Sequence, residues 1–247
     1  MYRGQSSLAR KYSRRQRRIE RWRKPLTTRA KRLRAWLSLM FMDHGVLRFI
    51  FPNRHQVSTK VWRSAQPLPG DIAWAAQRGI KTIVNLRGGR EFGSWPLEKE
   101  ACEAHKIHLV DLPLYARGVP RIEAIRWARA LFAEMEYPAL IHCKSGADRT
   151  GFAAALYLLL QEGRPIEEAR AQLHLRYGHF RWTATGILDA FFDMYSRDAN
   201  AGELAFIEWV ETAYDPAALN ASFMPRSPIA RMKLRRKRKK RLPHTPG

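Results

Sequence analysis

The stretch Ala139-Leu140-Ile141-His142-Cys143-Lys144-Ser145-Gly146-Ala147-Asp148-Arg149-Thr150-Gly151 gathers groups able to do covalent chemistry on an anion. An apolar run ends at a cysteine, a short polar loop follows, and an apolar helical segment, Phe152 to Leu160, starts directly after Thr150-Gly151. In open α/β sheets ligands sit beyond the carboxyl ends of strands, and a helix N-terminus offers unpaired N–H groups and a positive dipole end. A phosphate group suits that place. The loop amides from Lys144 to Arg149 can converge on Cys143. With the Arg149 guanidinium they would lower its thiol pKa from about 8.5 into the range of roughly 3.5 to 7.5 found for activated cysteines. The resulting thiolate can attack phosphorus and form a covalent phospho-cysteine, which divides hydrolysis into two easier steps. Arg149 can grip two phosphate oxygens with its planar fork and neutralise charge through the trigonal transition state, which a lysine cannot imitate. Gly146 lets the loop fold back tightly over the anion, and the Thr150 hydroxyl is placed to assist the second step. Lys144, Ser145, Gly146, Ala147 and Thr150 are the expected phosphate-binding positions.

To present Cys143 this way the chain needs a strand before it and a helix after it, and the surrounding pattern supplies more of both. Short apolar runs at Val46–Phe51, Val61–Ala65, Ile80–Leu86, Ile107–Leu114 and Ala139–His142 read as strands. Helical patterns at Asp71–Arg78, Leu97–His105 and Pro120–Glu136 lie between them, with Pro120 suited to a first helical turn. After Thr150 the pattern is largely helical: Gly151–Gln161, Pro165–Tyr177 and two segments between Ile187 and Tyr214. Strands alternating with helices predict an α/β fold with a central, mostly parallel sheet flanked by helices.

The 247 residues suffice for one substantial core with tails. The formal charge of +23 is confined to those tails. Residues 1–34 hold 14 Lys/Arg against Glu20 alone, residues 226–247 hold 10 with no acid, and residues 35–225 balance 21 bases with 21 acids. The expected organisation is a basic arm and amphipathic helix over 1–42, a catalytic domain over 43–225 and a basic C-terminal tail over 226–247. Residues 1–34 read as a mobile or partner-ordered arm. From Thr28, a possible cap, a helix is expected to run to residue 42, basic at first and then apolar from Trp36 to Met42. It has the character of a surface-lying membrane helix or of a segment packed on the catalytic domain. Ala35 to Met42 is too short to span a bilayer, and no small-residue cleavage site follows it. Only Cys102 and Cys143 are present, too few for a disulfide framework, and this fits a reducing, cytoplasmic compartment, with peripheral membrane contact as an option. The histidines lack paired ligand spacing, so neither metal nor other cofactor is expected.

His142, Cys143, Gly146, Arg149, Thr150 and Gly151 match the HCxxGxxR[ST]G signature, and the segment resembles the protein-tyrosine phosphatase superfamily, most of all its dual-specificity-like branch of small bacterial enzymes. Arg63-Ser64-Ala65-Gln66-Pro67 and Ile80-Lys81-Thr82-Ile83-Val84-Asn85-Leu86-Arg87 are similar to segments of those enzymes, and the similarity spans roughly residues 60 to 180. It implies the cysteine phosphatase fold, Cys143 as nucleophile, Arg149 as phosphate clamp and a supporting role for His142. The family places an aspartic acid on a separate upstream loop to protonate the leaving oxygen. Asp111 has about the right spacing but falls within a predicted strand, and the loop from Tyr115 to Arg117 has no carboxylate. Asp148 resembles the acid that myotubularin lipid phosphatases carry inside the phosphate loop. A carboxylate beside a bound phosphate is pushed toward its protonated form, as a general acid requires. Asp148 is preferred and Asp111 is the alternative. Cys102, on a helical pattern, reads as an inert core residue and does not match the position of a protective second cysteine.

The expected reaction is phosphomonoester hydrolysis on phosphotyrosine or phosphoserine/threonine protein. A phosphoinositide or other lipid phosphatase at an anionic membrane is the alternative. Lys144 matches a lysine those enzymes use for additional phosphate, but Ala147 stands where they carry a second. The basic arms can bind an anionic bilayer or, less readily, nucleic acid. A nucleic-acid-binding or scaffold protein with a vestigial pocket is a further alternative, with no evident need for both Cys143 and Arg149. A sulfurtransferase would likewise have no use for Arg149-Thr150-Gly151. Oligomeric state is left open by the sequence.

Overall fold

Five short runs pair into one sheet in the computed structural model, which describes residues 15–88, 90–198 and 204–239. The strands are β1 (His55–Gln56), β2 (Val61–Ser64), β3 (Thr82–Asn85), β4 (His108–Asp111) and β5 (Ala139–His142), in the order β1-β2-β5-β3-β4. All neighbours are parallel except β1, which pairs antiparallel with β2. The central strand β5 is buried along its whole length, as its uninterrupted apolar run requires. Its last residue, His142, lies in register with Ser64 on one side and Asn85 on the other, and Asn85 in turn pairs with Asp111. The carboxyl ends of four strands thus form one row, and Cys143 is the first residue beyond it.

The described helices are α1 (15–23), α2 (Arg29–Leu37), α3 (Gly45–Ile50), α4 (Pro69–Gln77), α5 (Ser94–Ala104), α6 (Ile122–Glu134), α7 (Asp148–Gln161), α8 (Ile166–Arg170), α9 (Ile187–Asp198), α10 (Phe206–Thr212), α11 (Pro216–Ser222) and α12 (Pro228–Lys239). The chain divides into two compact units, one running to Pro113 and resuming at Glu136–Gly146, the other comprising Leu114–Met135 and the residues from Ala147 on. The first holds the sheet. Ile72 and Ala75 of α4 and Cys102 of α5 pack on Ile83 and Leu140 of the strands. The second is helical. Its centre is an aromatic group in which Phe191 meets Phe152, Trp209 and Tyr214 with ring centroids 5.6, 5.3 and 4.9 Å away, and Tyr214 donates a 2.8 Å hydrogen bond to the Pro120 carbonyl.

Three expectations change. Val46–Phe51 is not a strand: it forms α3, joined to α2 by a π-helical turn, Ser38–Met42. Its β-branched and aromatic composition signals a strand, but these side chains stay largely exposed and no sheet neighbour takes them up. Pro165–Tyr177 is not one helix, because α8 ends at Arg170 and a 3₁₀ turn, Leu175–Tyr177, restarts where the His174 ring accepts the Arg176 amide. Residues 15–28, read as part of a mobile or partner-ordered arm, carry α1, and Trp22 and Leu26 are buried with Ala35, Leu39 and Leu97. The expected cap is present, Thr28 Oγ1 accepting the Lys31 amide at 3.2 Å. Residues 1–14 and 240–247 of the expected arms lie outside the described residues. Among the described residues, no helix is long and apolar enough to cross a membrane.

Candidate functional site

Cys143 follows β5 directly, 2% exposed and not in a disulfide. The loop it opens is held by the first unit through Gly146. That glycine has φ +73°, and a Cβ there would lie 2.7 Å from the Ala65 amide nitrogen, so both conformation and space demand glycine. Its carbonyl accepts a 2.7 Å hydrogen bond from the buried Arg63 guanidinium. The Gln66 amide donates to the Lys144 carbonyl at 3.3 Å, and Asn53 Nδ2 donates to the Ser145 carbonyl at 2.9 Å. The Arg63 to Gln66 segment therefore acts as a brace, fixing loop carbonyls outward from the strand end.

Beside the cysteine lies a group of buried polar side chains drawn from several elements. His142 Nε2 is 2.7 Å from Glu98 Oε1, with both side chains shut off from solvent. Glu98 Oε2 accepts from Gln66 Nε2 at 2.7 Å, and Gln66 Oε1 accepts from Arg87 at 2.9 Å. Arg87 makes a two-pronged contact of 2.6 and 2.7 Å with Asp43, which also accepts from Ser94 at 2.8 Å and from Arg48 at 3.2 Å. Lys144 Nζ stands 3.7 Å from the same carboxylate. Burial works to raise the Asp43 pKa, but Arg87, Arg48 and Ser94 outweigh it and hold the carboxyl below its ordinary value. Partial burial, aided by Arg87 and Arg48, lowers the Lys144 ammonium against the pull of Asp43. One signal for this group was present in the sequence: Ser94, Glu98 and Cys102 recur at helical spacing on the buried face of α5.

In the second unit, Ala147 precedes α7, Asp148 and half-buried Arg149 open the helix, and Thr150 is fully buried. The Thr150 hydroxyl has no hydrogen-bond partner among the described residues. Asp148 Oδ1 lies 2.7 Å from His179 Nδ1, and His179 Nε2 lies 2.7 Å from Asp189 Oδ2. Burial of this histidine works to lower its pKa, but hydrogen bonds to Asp148 and Asp189 prevail and raise it to about 9. At neutral pH it is an imidazolium donating from both ring nitrogens. Sequence reading missed it, since His179 and Asp189 are separated from Asp148 by loops and helix and share no local pattern with it. Asp111, the alternative acid, ends β4 with one carboxylate oxygen accepting from Asn85 at 3.0 Å and the other from Arg90 at 2.7 Å. Cys102 packs within the core, its thiol pKa pushed well up by burial.

Residues 52–185 match the family model described as DSP-PTPase phosphatase fused to NAD+ kinase. The chain belongs to that phosphatase family. The curated relatives of this family member include the dual specificity protein phosphatase TpbA of Pseudomonas aeruginosa strain UCBPP-PA14, 31% identical over 115 residues, covering 45% of the chain and 48% of the relative. TpbA of strain PAO1 is 30% identical over the same length. The chain spans about half the length of the curated relatives it matches. Among solved structures, that of P. aeruginosa TpbA is 23% identical with a TM-score of 0.45, covering 75% of the chain and 92% of TpbA. A putative phosphatase from Neisseria meningitidis is 26% identical with a TM-score of 0.42, covering 54% of the chain and 94% of that protein.

Proposed function

We propose that this phosphatase family member hydrolyses phosphomonoesters through a phospho-cysteine on Cys143. The observation that carries the reading is the cysteine itself, placed one residue past the buried central strand, in a loop braced by Arg63 and Gly146 and continuing into the N-terminus of α7. The Cys143 thiolate attacks phosphorus, an S–P bond forms, and the bond to the ester oxygen breaks. Asp148 protonates the departing oxygen, and at rest the proton held by this pair resides on His179 Nδ1, 2.7 Å away. Water then attacks phosphorus, giving a proton back to the Asp148–His179 pair as the S–P bond breaks, which releases inorganic phosphate and restores the thiolate. The Thr150 hydroxyl serves this second step, and Arg149 holds the phosphoryl oxygens in both. Lys144, Ser145, Gly146 and Ala147 supply the remaining phosphate-binding backbone.

The substrate class we favour is phosphotyrosine or phosphoserine/threonine protein, supported by the curated relatives, which are named as dual specificity protein phosphatases. Asp111 is the weaker candidate acid because both its oxygens are engaged by Asn85 and Arg90. The test is turnover of phosphotyrosine and phosphothreonine peptides and of soluble phosphoinositides in chelator, by wild type, Cys143→Ser and Asp148→Asn. Peptide turnover lost in Cys143→Ser supports the reading, preference for the phosphoinositides replaces the substrate class, and turnover that survives Cys143→Ser removes the mechanism.

A further inference from the structure

Between Phe41 and Phe51 the usual polarity of a surface segment is reversed. The two charged residues of this stretch point inward, Asp43 at 0% and Arg48 at 5% exposure, where they pair with each other. Phe41, Met42, Leu47, Phe49, Ile50 and Phe51 point outward, between 60% and 74% exposed. A cluster of this kind marks an interaction surface, since large apolar side chains gain nothing from water. Nor can the segment turn over to hide them. The π-helical turn packs on both α2 and α3, a Cβ on Gly45 would lie 2.5 Å from the Leu39 side chain, and Arg48 donates to the Asp43 carbonyl at 2.5 Å. The chain leading into it is anchored, with Ala35 of α2 and Leu39 of the π-helical turn buried in the core with Trp22, Leu26 and Leu97.

We infer that Phe41 to Phe51 is a docking element that inserts shallowly into an anionic lipid bilayer. The electrostatics select the occupant. The apolar tip directly follows a segment whose first 34 residues carry 14 Lys/Arg and one acid, and Arg29, Lys31 and Arg34 of α2 are exposed. Acidic headgroups would neutralise that charge beside acyl chains that receive the phenylalanines, the arrangement of an interfacial amphipathic element. A second copy on the same face would instead bring two strongly basic segments together. The six residues of α3 are too few to span a membrane, so insertion is limited to the headgroup and upper acyl region. The element is also not loosely appended: Asp43, at its centre, binds Arg87 and approaches Lys144 of the phosphate loop. Docking would therefore hold Lys144 and its loop at a defined orientation to the bilayer surface.

The test is sedimentation of the full chain with vesicles of phosphatidylcholine alone and of phosphatidylcholine mixed with phosphatidylglycerol, at low and high salt. It requires no turnover, so its outcome is separate from that of the phosphatase assay. The expected result is binding to the mixed vesicles that persists in part at high salt and falls about a hundredfold in Phe49→Ser/Phe51→Ser, whose two exposed rings can be removed without disturbing the fold. An unchanged melting temperature of that variant checks the fold. Binding that salt abolishes and the double variant leaves intact would mean electrostatic attraction alone and overturns the proposal, as does no binding to either vesicle. Self-association in analytical ultracentrifugation that the double variant loses would assign the face to a second copy and equally overturns it.

Discussion

His179, 1% exposed between Asp148 and Asp189, makes stability depend on pH in a way that can be worked out beforehand. Its pKa is about 9 in the folded chain against 6.5 for the ordinary side chain, so between these values the folded state keeps a proton that the unfolded state has released. Unfolding free energy therefore falls as pH rises across that window. Below about pH 6.5 the contribution is complete, and above about 9 it is gone. At 1.36 kcal/mol for each pH unit the span corresponds to about 3 kcal/mol, a large part of the net stability of an ordinary domain. The measurement is urea denaturation of wild type and His179→Gln at a series of pH values through the window. Glutamine retains a donor but cannot titrate, so subtracting its curve removes the other groups that ionise there. The stability difference between the two proteins should be greatest at the acidic end and shrink steadily to the alkaline end. A difference that stays level across the window would show a neutral histidine in the fold, and the assignment of a resting proton to the Asp148–His179 pair would fall with it.

Gly146→Ala should destabilise the first unit by about 1 to 3 kcal/mol and weaken inhibition by vanadate, because it places a Cβ against the Ala65 amide in a left-handed backbone; an unchanged melting temperature would contradict this. Asp43→Ala leaves Arg48 and Arg87 buried without their shared carboxylate and should cost about 3 to 5 kcal/mol, read by thermal and denaturant unfolding. Iodoacetamide on the native protein should alkylate Cys143 and spare Cys102, whose thiol pKa burial raises, with peptide mass spectrometry as the readout and equal labelling as the contrary result. Asp148→Asn should slow peptide turnover most with poor leaving groups, whereas Asp111→Asn should alter it little; the reverse order would exchange their roles.

The parts of this structure legible from sequence are those dictated by local pattern. The strand Ala139–His142 coincides with its apolar run to the residue because a strand buried on both faces must be apolar throughout, whereas the helix expected from Gly151 begins three residues earlier, at Asp148, where the polar loop residues already take helical conformation. Gly146 was legible because few residues tolerate a positive φ. What escaped was fixed by tertiary partners. The Val46–Phe51 segment has strand composition, yet its conformation is set by the Asp43–Arg48 pair and by the close approach of Gly45 to Leu39, neither of which a propensity contains. Glu98, Gln66 and Arg87 come from three separate elements, and His179 finds its carboxylates in α7 and α9. Buried polar groups require partners, but composition alone cannot say which residues from distant elements will meet.

The Asp43 carboxylate has a consequence for how chains sharing this segment can vary. One acid serves Arg87 and Arg48 together and stands beside Lys144, so these charges form an inventory that cannot be altered one residue at a time. Losing the acid strands two guanidiniums, and losing either guanidinium leaves the remaining pair differently balanced within the same enclosed space. Homologous chains with a neutral residue at position 43 should accordingly have replaced Arg48 and Arg87 as well, and viable routes between the two states should pass through the arginines before the aspartate. An alignment of such chains would display that ordering as linked substitution at positions 43, 48 and 87.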